Sequence, residues 1–258
     1  MLLEKERKQI VTFGKKLVNS NLTTGTGGNL SIFNRRKNLI AISASGIDYF
    51  DTTVDDVVVV DLNGKIHQSK LKPSSELNFH IALYRRRNDI NSVVHTHSVY
   101  ATTLACLEWE LPAVHYLVGF AGKKVPVAPY ATFGTQELAD NISNTIKNYN
   151  AVLLANHGLI ATGNNLLEAF TTAEEIELVA RIYYQSKSIG NPVIISEEQM
   201  ESVIKKFDTY RKGQNSKITA EVEKKSKYNY NTFIRKQAFT PSCNSTKRMG
   251  KGTPDRDR

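Results

Sequence analysis

At the start of the chain, Leu3, Ile10, Phe13, Leu17 and Val18 recur near helical spacing with charged residues between them, which predicts an amphipathic helix over residues 3–20. The pattern then changes. Thr23-Thr24-Gly25-Thr26-Gly27-Gly28-Asn29 reads as a glycine-rich loop, and Leu30–Phe33, Leu39–Ser43 and Asp56–Asp61 read as short strands, with Asn63-Gly64 marking a hairpin turn. Pro73-Ser74-Ser75-Glu76 has the residues of a helix start, and that helix is expected to run to about Arg87. Further strands are expected over Ser92–His97, Val125–Ala128 and Ala151–Asn156, the last halted by His157-Gly158. Helices are expected over Val99–Leu107, Thr135–Lys147, Asn165–Lys187 and Glu197–Lys206. Short strands in hairpins, interleaved with helices, predict an α/β sandwich on a mainly antiparallel or mixed sheet. No internal repeat is visible.

Composition narrows the class. A chain of 258 residues can bury one large core, and 40% hydrophobic residues place it above the disordered range. Two cysteines far apart, Cys106 and Cys243, exclude a disulfide framework and a cysteine-rich zinc module and suit a reducing compartment. The N-terminus is charged at once, unlike a signal peptide, and no run approaches the length of a membrane helix. A cytoplasmic protein is therefore expected. The net charge of +9 is not spread evenly: residues 1–210 hold 21 basic and 21 acidic side chains, while residues 211–258 hold 13 and 4. A neutral body offers no basic face for nucleic acid, so a nucleic-acid partner is not expected. Residues 211–258 read as a basic, largely disordered tail behind a domain of residues 1–210.

The chemistry centres on His95-Thr96-His97. Alternate strand residues project to one face roughly 6.6 Å apart, and two imidazoles so placed can converge on one metal at ~2.0–2.1 Å per nitrogen. His157, at a strand end beside Gly158, is by itself a structural histidine or a third ligand; beside an orphan His-x-His, the ligand reading gains weight. Three histidines with an open fourth position describe a catalytic zinc. Glu76 is either a first-turn acid favoured by the helix dipole or a carboxylate near the metal, as ligand or general base. His80 shares its helix face and competes for the ligand role. Gly25–Asn29, Ser43–Gly46 and Ser74-Ser75 offer hydroxyls and backbone N–H groups suited to phosphate, without a Walker or dinucleotide fingerprint. Tyr116 is either a proton donor to a developing alkoxide or a half-buried strand tyrosine.

Taken in order, Gly25–Ser31, Pro73–Glu76, Val93–His97, Pro112–Tyr116, Ala128–Thr135 and Asn156–Leu159 resemble the motifs of the class II aldolase/adducin family over about residues 1–210. Within the family, the closest resemblance is to members that cleave L-fuculose 1-phosphate. It implies a single α/β domain with a central, mainly antiparallel sheet flanked by helices, and one Zn2+ per subunit held by His95, His97 and His157. Glu76 would be the acid/base, able also to ligate the zinc in the empty site, with His80 left as structure. Phosphate would be bound by Gly28, Asn29, Ser45, Gly46, Ser74 and Ser75. Tyr116 would act on the aldehyde oxygen in a neighbouring subunit's site of a homotetramer, and Phe133 and Tyr210 would shape the aldehyde pocket. The implied reaction is cleavage of L-fuculose 1-phosphate, or a similar ketose 1-phosphate, to dihydroxyacetone phosphate and an aldehyde such as L-lactaldehyde.

Three other readings are compatible with parts of the pattern. A ribulose-5-phosphate 4-epimerase uses similar zinc chemistry, but similar epimerases carry Asp where this chain has Glu76. An aldolase or dehydratase for a deoxy- or methylthio-pentulose 1-phosphate would keep the same phosphate and zinc residues. An adducin-like scaffold would have no need of the histidines.

Overall fold

The central strands of this chain are buried on both sides because helices cover both sides of the sheet. The computed structural model describes residues 1–207 and Thr209. The chain divides into two units, Met1–Phe207 and Asp208–Arg258. Tyr210 and the expected tail, residues 211–258, lie outside the described residues.

The first unit opens with helix α1 (Glu4–Asn19), followed by β1 (Asn29–Asn34), β2 (Leu39–Ile42), β3 (Val58–Val60) and β4 (Ile66–Gln68). Helix α2 (Leu77–Arg86), β5 (Ser92–Thr96) and α3 (Val99–Cys106) come next. A 3-10 turn (Tyr116–Phe120), β6 (Val127–Ala128), α4 (Gln136–Ile146), β7 (Ala151–Leu154), β8 (Gly158–Gly163) and α5 (Leu166–Ile189) follow, and α6 covers 197–207. The eight strands form one sheet in the order β4-β3-β2-β1-β5-β8-β7-β6. Every pairing is antiparallel except β6 with β7. The α/β sandwich with a mainly antiparallel sheet is thus the fold observed.

Strand alternation sorts the core into layers. Phe33, Ile40, Val58, Val93, Val152 and Ile160 meet α2 and α4 on one face. Leu30, Ile32, Val59, Val94 and Ala161 meet α1 and the first half of α5 on the other. Farther along that second face, Ala151, Leu153 and Leu159 pack with α3, the later half of α5 and Met200. Helix starts follow their caps: Thr135 Oγ1 accepts from Leu138 N at 3.2 Å, and Asn165 Oδ1 accepts from Glu168 N at 2.9 Å.

The structure adds one strand and moves one residue. The strand expected before His157-Gly158 does stop there, at Leu154, but Asn156 adopts φ 54°, the chain reverses, and β8 runs back beside β7. The apolar run Leu159-Ile160-Ala161 lacks alternation because both its faces are covered, so glycine looked like a stop. Tyr116 lies on a 3-10 turn rather than a strand. Among the described residues, no helix is long and apolar enough to cross a membrane.

Candidate metal centre and substrate cleft

The register of the central strands assembles the site. Asn29 on β1 lies opposite His95 on β5, and His95 lies opposite Ile160 on β8. His97 follows one residue past the end of β5, and His157 stands in the β7–β8 turn. Two glycines permit the approach. A Cβ on Gly28, which adopts φ 67°, would lie 2.6 Å from the His95 carbonyl oxygen. A Cβ on Gly158 would overlap the Thr96 carbonyl oxygen and press on both His95 and His97.

The ligand atoms of His95, His97 and His157 all lie within 4.8 Å of one another. His95 Nε2 is 3.0 Å from His97 Nε2 and 3.3 Å from Glu76 Oε2, while His157 Nε2 is 3.3 Å from Glu76 Oε1. His95 Nδ1 donates to the Leu159 carbonyl at 3.0 Å, which leaves its Nε2 lone pair facing the cluster. Burial pushes all three imidazoles below their ordinary pKa, His95 furthest, and so favours the neutral form that binds metals. Burial raises Glu76, opposed by His157 and by the hydrogen bond from Asn29. Glu76 Oε1 is buried without a hydrogen bond. Converging nitrogen lone pairs and an unsatisfied carboxylate oxygen fit a divalent cation of imidazole preference.

In front of this cluster is a cleft of about 390 Å³, lined by Gly28, Asn29, Ser45, Gly46, Ser74, Ser75, Glu76, His97, Phe133 and His157, among others. Backbone bonds zip its two hydroxyl-bearing loops together: Ser45 N donates to Lys72 O at 3.1 Å, and Ser74 N donates to Ser43 O at 3.1 Å. His95 is fully buried behind it. The expected phosphate, carboxylate and imidazole residues therefore meet in one place. Tyr116 does not join them; it is 50% exposed and packs against His115 and Phe207. Tyr210 lies outside the described residues.

Some participants escaped the reading of the sequence. Thr26, Tyr130 and Asn156 also line the cleft. Asn29, expected at phosphate, donates from Nδ2 to Glu76 Oε2 at 2.7 Å and accepts at Oδ1 from His80 Nε2. The available signal was spacing: Glu76, His80 and Tyr84 recur every four residues, and Asn29 and Ser31 alternate on a strand.

Residues 8–184 match the Class II Aldolase and Adducin N-terminal domain. The chain is 57% identical over 210 residues to a 5-deoxy-D-ribulose 1-phosphate aldolase of Bacillus thuringiensis serovar kurstaki, covering 81% of this chain and 99% of that protein. It is 41% identical over 205 residues to the L-fuculose phosphate aldolase of Escherichia coli strain K12, covering 79% and 94%. A solved L-fuculose 1-phosphate aldolase superposes with a TM-score of 0.78 at 48% identity, covering 79% of this chain and 96% of that one. The chain belongs to the class II aldolase and adducin family. The relatives named are aldolases of sugar phosphates, and the three converging histidines are placed to hold a metal ion.

Proposed function

We propose that this protein is a zinc-dependent aldolase that cleaves 5-deoxy-D-ribulose 1-phosphate to dihydroxyacetone phosphate and acetaldehyde. The observation that carries the reading is the juxtaposition of His95, His97, His157 and Glu76 with a hydroxyl-lined cleft, in a chain 57% identical to an aldolase named for that substrate. L-fuculose 1-phosphate is the second reading, supported by the relative at 41%. The two substrates share the phosphate-bearing half and differ in the aldehyde released, which is larger by one hydroxyl-bearing carbon for L-fuculose 1-phosphate.

His95, His97 and His157 hold the zinc, which when bound supplies Lewis-acid stabilisation of the charge that develops as the C3–C4 bond breaks. Ser45, Ser74 and Ser75, with the N–H groups around Gly28 and Gly46, receive the phosphate at the start of α2, where the helix dipole favours an anion. Glu76 delivers the proton to C3 of the departing three-carbon half; burial raises its pKa and suits it to carry one. Tyr116 relays the proton of the C4 hydroxyl, accepting it at the phenol oxygen as its own phenolic proton passes to water. Because it stands outside its own cleft, that task requires a second copy of the chain, consistent with a homotetramer. Phe133, at the cleft, walls the aldehyde side.

The test is release of dihydroxyacetone phosphate by zinc-loaded protein from each substrate, with and without a chelator. Chelator-sensitive release with a higher kcat/KM for the deoxypentulose is the expected result. A higher kcat/KM for L-fuculose 1-phosphate transfers the assignment to that substrate, and no release from either refutes the proposal.

A further inference from the structure

Behind Glu76, two rows of polar side chains interlock in the core. Glu76, His80 and Tyr84 recur at intervals of four along α2, and Asn29 and Ser31 alternate on β1. Tyr84 OH lies 2.5 Å from Ser31 Oγ, which lies 2.6 Å from His80 Nδ1. His80 Nε2 lies 2.5 Å from Asn29 Oδ1, and Asn29 Nδ2 donates to Glu76 Oε2 at 2.7 Å. All five side chains are buried.

The acidic end sets the direction of the whole chain. Asn29 turns its Nδ2 to Glu76 Oε2 at 2.7 Å and so presents Oδ1 to His80. A carbonyl oxygen can only accept, so His80 carries its proton on Nε2 and accepts at Nδ1 from Ser31. Ser31 in turn accepts from Tyr84. Each bond therefore donates toward Glu76. A histidine that merely filled the core against Phe79 would not need a donor aimed at the one amide that touches the carboxylate.

We propose that His80 is a positioning residue for the aldol reaction: it locks the Asn29 amide, which holds Glu76 Oε2 and leaves Oε1 to face the cluster. The inference rests on the acid/base role given to Glu76. Burial pushes the His80 pKa down to about 3, so the ring stays a neutral single donor across the working pH range.

The experiment compares His80→Phe, His80→Gln and Glu76→Gln in the full zinc-loaded chain, with metal content measured for each. His80→Phe is expected to lower kcat by about ten- to a hundredfold with little change in KM and full metal content. His80→Gln, whose amide can still donate to Asn29 Oδ1, is expected to recover most of that loss. Full kcat in His80→Phe, or no rescue by His80→Gln, overturns the proposal. Turnover surviving in Glu76→Gln removes the underlying reading instead. Nitrogen-15 NMR of histidine-labelled wild-type protein needs no variant to fold: a proton on His80 Nε2 supports the proposal, and one on Nδ1 overturns it.

Discussion

The two faces of strands β1 and β5 differ sharply. Toward α1 and α5 they present Leu30, Ile32 and Val94, packed among apolar side chains. Toward α2 they present Asn29, Ser31 and His95, each bonded to another polar group, beside the apolar Phe33 and Val93. The same pleat produces both, since successive residues point to opposite sides. Burying an apolar side chain stabilises by about 1.5–3 kcal/mol, whereas a buried polar group must find partners merely to avoid a penalty. Apolar packing on both faces stabilises the sheet, so that the polar groups of one face are held in fixed positions.

Removing a ligand from the polar face should have the largest effect. His95→Ala is expected to lose its metal and all turnover above background; stoichiometric zinc in the purified variant refutes the ligand assignment. Glu76→Gln should keep zinc while kcat falls roughly a hundredfold to ten-thousandfold, as expected on losing a general acid/base; near wild-type kcat ends that assignment. On the apolar face, Leu30→Ala should cost about 2–5 kcal/mol of stability. Its effect should appear as a lower urea midpoint with KM unchanged, and a selective KM defect would break the distinction between the faces.

The last effect concerns pH. The His80 pKa is depressed from 6.5 to about 3, so its contribution to stability is present above pH 6.5 and is lost as pH falls toward 3. Urea midpoints measured down this range should fall less steeply for His80→Gln, which has no ring to protonate. Parallel curves for the two proteins would contradict the sign of the shift.

Much of the site was legible because its signals were local. His95-Thr96-His97 announced itself by spacing, and Pro73–Glu76 by its helix-start residues. β8 was missed because a strand covered on both faces has no alternation, and Gly158 resembled a terminator although its role is close packing against Thr96. The second task of Asn29 was hidden for a different reason: its partners Glu76 and His80 are distant in sequence and meet it only when α2 lies across β1.

The sequence by itself determined the helix and strand periods, the neutral body, the imidazole and carboxylate set, and the family. Tertiary structure alone decided that β5 lies between β1 and β8, which brings His95, His97 and His157 within 4.8 Å. It also decided that Glu76 rests on a buried hydrogen-bonded chain and that Tyr116 lies outside its own cleft. Spacing along the chain sets which way a side chain points, but convergence requires strand order, register and helix packing, which depend on contacts between residues far apart in sequence.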